Sequence, residues 1–328
     1  MEKIGFVFPG QGSQKVGMGL DLAEAYPDLV DTYYRPADDL LGLPLSRLCW
    51  EGPADELRDT SVTQPAIFLT SLAVLDVLRR RGLEPDAVAG HSLGEYSALV
   101  CAGVLEWTDA LMLVRRRGQL MAGVNARVPG SMAAILGLGL TDVEALCLEA
   151  AEQTGQIVEV ANDNEPTQIV VSGQVTAVTR AIDLAKAAGA ARAILLEVGA
   201  PFHCSLTAEI EQEFAAALAA VEFHEPEVEL ISSVTARPLA GADEVRRVLQ
   251  RQLTGRVRWT GTAQRMAQSG VGRFVEVGPG KVLGGLCRRI VPGVPVHATH
   301  DLRQCVLTLD AMPPAARRDA AGLRHLAA

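Results

Sequence analysis

Short apolar runs alternate with amphipathic stretches along most of the 328 residues of this chain. The first run, 4–8, is closed by a Pro-Gly pair, and a second run, 87–89, leads directly into a glycine-rich turn. Apolar residues at intervals of three and four predict helices over 63–80 and 107–121. Such alternation of strands and helices is typical of an α/β protein with a largely parallel sheet.

The pattern changes near residue 128, where shorter strands and helices follow one another. The predicted strands are 131–136, 158–161, 168–172 and 192–198, and the predicted helices are 142–153 and 176–188. Their order is strand-helix-strand-strand-helix-strand, which is the ferredoxin-like arrangement. We therefore predict a small ferredoxin-like domain over 128–199, inserted into a large domain formed by 1–127 and 200–308. The segment 309–328 lacks a coherent apolar face and is predicted to be a flexible tail.

Composition narrows the class of protein. Hydrophobic residues make up 48% of the chain and charged residues 21%, as in ordinary globular proteins. A net charge of -9 lacks the basic excess that nucleic acids and anionic membranes require, so neither is an expected partner. The six cysteines are widely spaced and form no CxxC pair, which predicts neither disulfides nor a zinc site. No signal-peptide pattern or membrane-length apolar run is evident, so a soluble cytoplasmic protein is expected.

One serine lies between two glycines where the second predicted strand meets a helix. The stretch Gly90-His91-Ser92-Leu93-Gly94 has the form of a nucleophile elbow, in which a tight turn presents the hydroxyl at the carboxyl end of a sheet. This motif predicts an α/β-hydrolase-like large domain with Ser92 as the nucleophile. The amide of Leu93, at the start of the following helix, is the natural oxyanion donor. The alternative is an ordinary serine in a glycine-rich turn.

A serine hydroxyl attacks poorly unless a base removes its proton, so a histidine is required nearby. The chain order of α/β-hydrolases favours the late His300, with an acid such as Asp243. The other candidates are His297, also near the end, and His203, which begins a loop just after the predicted insert. A lone histidine in a loop is commonly structural, so the residue pattern by itself leaves the choice of base open.

A set of short motifs occurs in a fixed order along residues 3–292. These motifs are Phe8-Pro9-Gly10-Gln11-Gly12-Ser13-Gln14, Gln64-Pro65-Ala66, Gly90-His91-Ser92-Leu93-Gly94-Glu95-Tyr96, Arg117-Gly118, Phe202-His203 and Glu276-Val277-Gly278-Pro279-Gly280. In this order they resemble the malonyl-CoA:acyl-carrier-protein transacylases, including the stand-alone acyltransferases of fatty acid and polyketide synthesis. Each motif is weak alone, whereas the ordered set is specific.

The resemblance implies a role for several positions of this chain. His203 corresponds to the base of the family, and main-chain carbonyls, here that of Gln252, orient it in place of an acid. The amides of Gln11 and Leu93 correspond to the two oxyanion donors. The missing triad acid is therefore expected.

Three further positions concern the substrate. Arg117 matches the carboxylate-binding arginine of the family, and a guanidinium can grip a malonyl carboxylate through two parallel hydrogen bonds. Phe202, immediately before the base, resembles the family members that select malonyl over methylmalonyl units. Asn162, within the predicted insert, is expected to face the cleft and contact the histidine region or the substrate.

The resemblance implies a malonyl transfer from coenzyme A to the phosphopantetheine thiol of an acyl carrier protein through a seryl ester. No permanently bound cofactor or metal is expected, and a monomer is predicted. Because carrier proteins are typically acidic, docking is expected on a local basic patch formed by Lys281, Arg288 and Arg289. Two alternatives stay open: a transacylase for another extender unit in a polyketide pathway, and a hydrolase of acyl-carrier-protein thioesters.

Overall fold

Two five-stranded sheets organise the computed structural model, which describes residues 2–196, 198 and 200–313. The strands among these residues are β1 (Lys3–Phe8), β2 (Ala87–Gly90), β3 (Gly130–Leu136), β4 (Val158–Glu165), β5 (Gln168–Gln174), β6 (Arg192–Leu195), β7 (Glu229–Ile231), β8 (Val257–Arg258), β9 (Val271–Glu276) and β10 (Val296–Ala298). The α-helices are α1 (Leu20–Ala25), α2 (Arg35–Leu41), α3 (Leu45–Trp50), α4 (Ala54–Arg58), α5 (Thr60–Arg80), α6 (Gly94–Cys101), α7 (Trp107–Arg127), α8 (Leu140–Thr154), α9 (Val175–Ala187), α10 (Ala208–Ala219), α11 (Ala242–Arg251), α12 (Trp259–Gln268), α13 (Val282–Ile290) and α14 (Leu302–Ala311).

The first sheet is wholly parallel and runs in the order β10-β9-β1-β2-β7. Its β2 strand is buried along its whole length, as expected for a parallel strand covered on both faces. Phe8 and Gly90 lie side by side at the carboxyl ends of β1 and β2. The loop after β1 and the serine turn after β2 therefore meet at one edge, and the predicted α/β class with a parallel sheet is confirmed.

The second sheet is mixed and runs in the order β6-β3-β5-β4-β8. From β3 to β6 the chain follows the strand-helix-strand-strand-helix-strand order expected for 128–199. The fifth strand, β8, comes from outside that range and pairs in parallel with β4, where Val257 lies beside Asn162. The mixed sheet is thus completed by a segment assigned to the large domain, while the domain boundaries themselves stay a prediction.

The helix α5 forms the centre of the core. It is long and apolar enough to cross a membrane, although the sequence analysis expected no apolar run of that length. However, 89% of its most apolar 18-residue stretch is buried inside the protein. The carboxylate of Asp59 caps its start by accepting a hydrogen bond from the Ser61 amide at 2.8 Å. Pro65 has no N–H to give to the Ser61 carbonyl, which instead accepts from Arg115 at 2.5 Å.

The described chain ends in a helix. Asp301 caps α14 by accepting a hydrogen bond from the Gln304 amide at 2.7 Å, and Thr308 and Leu309 are buried. The tail predicted over 309–328 therefore begins inside this helix, which sequence reasoning missed. Residues 314–328 of that predicted tail lie outside the described residues.

Candidate active site

The turn after β2 has the strained geometry of an elbow. Ser92 adopts a φ of 52°, in the left-handed region that residues with a Cβ rarely occupy. A Cβ on Gly90 would lie 1.9 Å from the carbonyl carbon of Gly94, and one on Gly94 would lie 2.0 Å from the Phe8 oxygen. Both positions accept only glycine, because the backbones of β1, the turn and α6 meet there. The glycines that flank the serine in the sequence motif thus have a steric cause.

The serine hydroxyl faces His203, which lies in the connection between β6 and α10. Ser92 Oγ lies 2.7 Å from His203 Nε2. The other ring nitrogen, Nδ1, lies 3.0 Å from the Gln252 carbonyl oxygen and 3.1 Å from that of Gly255. Carbonyl oxygens only accept, so Nδ1 carries the proton and Nε2 is free to accept the serine proton. The structure therefore brings together Ser92, His203 and the Gln252 carbonyl.

The imidazole of His203 is held in its neutral form. Burial, together with the positive charge of Arg117, lowers the pKa of His203 to about 3. Among the residues that the structure describes, no carboxylate forms a hydrogen bond or ion pair with the ring, and the two carbonyl acceptors oppose this shift. A neutral imidazole at neutral pH is the state that a general base requires.

The guanidinium of Arg117 is a deeply buried cation beside the serine. Only 1% of the residue is exposed, and burial lowers its pKa. Its Nη1 donates to the Gln64 side-chain oxygen at 2.8 Å, and its Nη2 donates to Ser92 Oγ at 3.0 Å. Within the described part of the chain, Arg117 forms no ion pair with a carboxylate. A buried cation without an anion is costly, so the site is suited to an anionic ligand.

The glycine after Arg117 explains why that arginine can reach the site. A Cβ on Gly118 would lie 2.8 Å from the Thr60 carbonyl oxygen, so α7 contacts the first turn of α5 through this glycine. The close approach brings Arg117 of α7 against Gln64 of α5. The Gln64-Pro65-Ala66 motif contained this partner, but the motif alone did not indicate a role for Gln64.

Two backbone amides at the cavity are candidates for stabilising an oxyanion. Gln11 and Leu93 both line a cavity of about 410 Å³ together with Ser92 and His203. Neither the Gln11 amide nor the Leu93 amide has a hydrogen-bond acceptor among the residues that the structure describes. The Gln11 side chain turns away and donates to Thr60 Oγ1 at 3.2 Å. Two free N–H groups beside a serine hydroxyl are the requirement for an oxyanion hole.

The remaining cavity wall mixes apolar and amide side chains. Phe202 and Asn162, both predicted to contact the substrate, line the cavity and are 6% and 7% exposed. Asn164, two residues along β4, also lines it, and its Oδ1 lies 2.8 Å from His91 Nε2. This Asn164 contact ties the elbow to the mixed sheet. Sequence reasoning missed it, although both asparagines occur in the same short polar run.

The hydrolase-type alternative to His203 does not assemble. His300 lies 3.3 Å from Asp301 and lines a different cavity from the one that contains Ser92. Asp243 instead pairs with Arg246 within α11. The late histidine and its proposed acid are thus separate from the serine and from each other.

The residues of the predicted docking patch do not line the catalytic cavity. Lys281 and Arg288 line the cavity that contains His300, and Arg288 donates to the Val296 carbonyl at 2.9 Å. Arg289 forms an ion pair with Glu165 of β4 at 3.3 Å. Among the described residues there is no cluster of three or more His, Cys, Asp or Glu side chains suited to a metal.

Fold and site together define a class of protein. A serine at an elbow of a parallel sheet, with a neutral histidine at hydrogen-bond distance, is the arrangement of serine-dependent acyl-transfer enzymes. Residues 5–291 match the family described as acyl transferase domain, and the chain belongs to this family.

Individual relatives agree with this assignment. A malonyl CoA-acyl carrier protein transacylase from Haemophilus influenzae is 44% identical over 304 residues, which span 92% of this chain and 96% of that protein. An acyl carrier protein S-malonyltransferase from Vibrio cholerae shares 43% identity and a TM-score of 0.89, covering 93% of this chain and 99% of that one. A malonyl-transacylase in complex with its type II PKS acyl-carrier protein shares 42% identity and a TM-score of 0.89, over 94% and 99% of the two chains. The family resemblance inferred from the motifs is confirmed.

Proposed function

We propose that this protein transfers a malonyl group from coenzyme A to the phosphopantetheine thiol of an acyl carrier protein. His203 Nε2 takes the proton of Ser92 Oγ, and the oxygen attacks the thioester carbonyl. The tetrahedral oxyanion is stabilised by the amides of Gln11 and Leu93. The protonated His203 then gives its proton to the departing CoA thiolate, which leaves a malonyl ester on Ser92.

The second half of the reaction reverses the first with a new thiol. His203 takes the proton of the phosphopantetheine thiol, the thiolate attacks the seryl ester, and the same two amides stabilise the oxyanion. The proton on His203 returns to Ser92 Oγ as the malonyl thioester leaves. Since Gln252 and Gly255 hold Nδ1 through carbonyl oxygens, no carboxylate is needed to orient the base.

One observation carries the choice of substrate. The buried guanidinium of Arg117 donates to Ser92 Oγ at 3.0 Å and has no carboxylate partner within the described residues. A malonyl group on Ser92 places its free carboxylate within reach of this cation, whereas a neutral acyl group leaves the cation unpaired. Phe202 and Asn162 complete the wall of the acyl cavity. The acyl carrier protein is the macromolecular partner, and a cytoplasmic monomer remains our expectation.

The function is tested with a panel of acyl donors. Purified protein is mixed with malonyl-CoA, methylmalonyl-CoA, acetyl-CoA or butyryl-CoA, and intact mass reports the acyl group on Ser92. We expect malonyl to load in preference, and Ser92→Ala to load nothing. Arg117→Gln is expected to lower kcat/KM for malonyl-CoA by about 10²- to 10³-fold, because a buried charge pair is lost, and to leave acetyl loading no slower. Arg116→Gln is the matched control, since Arg116 points outward to Glu213.

The same assay separates the alternatives. Addition of holo acyl carrier protein must move the label to the carrier; release of free malonate in its place would indicate a hydrolase. Preferred loading of methylmalonyl or a larger unit would indicate a transacylase for another extender. Equal loading of acetyl and malonyl groups would contradict the role given to Arg117.

A further inference from the structure

One residue, Gln252, contacts both halves of the catalytic pair. Its main-chain oxygen accepts the hydrogen bond from His203 Nδ1 at 3.0 Å. Its side-chain Nε2 donates to the main-chain oxygen of Ser92 at 3.0 Å. The side chain of Gln252 thus joins the residue that orients the base to the backbone of the nucleophile, across 160 positions of sequence.

A buried carboxyl group sets the orientation of that side chain. Glu95, in the first turn of α6, is fully buried, and its Oε2 accepts from Gln252 Nε2 at 2.5 Å and from Ser233 Oγ at 2.9 Å. The Gln252 Nε2 group therefore faces two acceptors, Glu95 Oε2 and the Ser92 oxygen. The Gln252 amide oxygen has no partner in the described part of the chain. A flip of the Gln252 amide would place its oxygen against two other oxygens, neither of which can donate a hydrogen bond when Glu95 is ionised. Glu95 therefore holds the Gln252 amide in one orientation.

The backbone at both ends of this link is strained. Ser92 and His203 both adopt positive φ, 52° and 58°, which is uncommon for residues with a Cβ. Strained conformations persist only when surrounding contacts hold them. The Ser92 oxygen accepts two hydrogen bonds, one from the Glu95 amide at 3.1 Å and one from Gln252 Nε2 at 3.0 Å. Glu95 is thus involved in both bonds, directly through its amide and indirectly through its side chain.

We propose that Glu95 is a positioning residue for acyl transfer, which acts through Gln252 to fix Ser92 and His203 at reacting distance. The inference rests on the proposed function, because it concerns the same serine and histidine. Glu95 does not line the acyl cavity and is not a catalytic residue. Its loss is expected to slow the chemical step and to leave substrate binding unchanged.

The test compares two replacements of Glu95 in the acylation half-reaction. Glu95→Met fills the space of the carboxyl group without providing a hydrogen-bond acceptor. At saturating malonyl-CoA, the rate at which this variant acylates Ser92 is expected to fall about 10²-fold, with KM unchanged. Glu95→Gln keeps an oxygen in the position of Oε2 and is expected to stay within about threefold of the wild type. Rapid quench with intact mass gives the rates, and circular dichroism reports folding.

A second variant tests the path of the effect. Gln252→Leu removes the side-chain link and keeps the main-chain oxygen that binds His203. It is expected to slow acylation by the same factor as Glu95→Met, and the double variant should be no slower than either single one. Glu276→Met is the matched control, because Glu276 is an equally buried carboxyl that accepts from the Leu283 and Gly284 amides. It is expected to lower the Tm without slowing acylation.

Each outcome has one meaning. If wild-type protein fails to form the malonyl ester, the proposed function is wrong, irrespective of Glu95. If the wild type is acylated and Glu95→Met or Gln252→Leu is acylated equally fast, the positioning role is overturned. The positioning role would also be overturned if the rate losses of Glu95→Met and Gln252→Leu multiplied in the double variant. A Glu95→Met protein with a changed KM and an unchanged acylation rate would overturn it too. If Glu95→Met does not fold, Gln252→Leu and Glu95→Gln decide the matter.

Discussion

The protonation state of His203 depends on the groups that surround its ring. The same imidazole in water would be partly charged near neutral pH, whereas here burial and Arg117 lower its pKa to about 3. The pair of carbonyl acceptors directs its proton away from the serine. A base held in this way needs no acidic partner, because its neutral form already dominates.

The pH dependence of acylation follows from this shift. A lowered pKa means that His203 stays neutral as the pH falls through 6.5, and the base is lost only far below that value. We expect kcat/KM for malonyl pantetheine, which has no titrating phosphate, to stay flat from pH 7 down to about pH 5. Stopped-flow measurement of thiol release gives the profile. An acid limb centred near 6.5 would show that the free enzyme has an ordinary histidine.

At the residue scale the motifs selected residues that the structure brings together, but they did not indicate which residues hold those groups in place. The elbow and the family resemblance selected Ser92, His203, Arg117 and the Gln252 carbonyl, and the structure brings these groups together. Glu95 was within a quoted motif, yet its partner Gln252 lies 157 positions away. Local pattern cannot reveal such a contact, because it exists only once the chain has folded.

At the scale of elements, the crossing of α5 and α7 positions Arg117, the cation that we propose binds the malonyl carboxylate. Gly118 allows α7 to lie against the Thr60 carbonyl, and Arg117 then meets Gln64. Another glycine of the same helix, Gly123, has open space around its Cβ position. The two glycines therefore differ in packing while sharing one helix.

This contrast gives a matched pair of substitutions. Gly118→Ala is expected to cost about 1 to 3 kcal/mol of stability through overpacking, and to lower kcat/KM for malonyl-CoA because Arg117 is displaced. Gly123→Ala is expected to raise the free energy of unfolding by about 0.5 to 1 kcal/mol, because alanine favours a helix interior. Urea unfolding and acylation kinetics are the measurements. Equal effects of the two changes would contradict the close contact at Gly118.

Elements with a strong hydrophobic periodicity were predicted from the sequence, whereas elements with little or no periodicity were not. The helix predicted over 107–121 extends to Arg127, and the helix predicted over 63–80 begins at Thr60. The two-residue strand β8 has no period to detect. Only the last residues of α14, from 309 onward, were included in the predicted tail, because the segment 309–328 lacks a coherent apolar face.

For the whole molecule, the net charge has the same sign as that of an acidic carrier protein, so docking requires a local basic patch. The chain carries a net charge of -9, which repels an acidic carrier protein at long range. Lys281 and Arg288 lie together at one cavity, whereas Arg289 is paired with Glu165. The first two residues are therefore better docking candidates than the third.

Charge reversal tests this patch. Lys281→Glu with Arg288→Glu is expected to lower kcat/KM for the carrier protein about tenfold at low salt, with the difference shrinking as salt increases. Acylation by malonyl-CoA should be unaffected. The control is Arg35→Glu, since Arg35 is an exposed arginine on α2. Unchanged transfer to the carrier protein would reject the patch.

The short strand β8 has a mechanical consequence for the two sheets. Only a few residues separate it from the carbonyls of Gln252 and Gly255, and its Val257 is hydrogen-bonded into the mixed sheet beside Asn162. The segment 252–257 thus accepts hydrogen bonds from the imidazole of His203 at its start and pairs with β4, which lines the cavity, at its end. We therefore expect that a bulky acyl chain which displaced Asn162 would also displace this segment, and with it the carbonyls that orient His203.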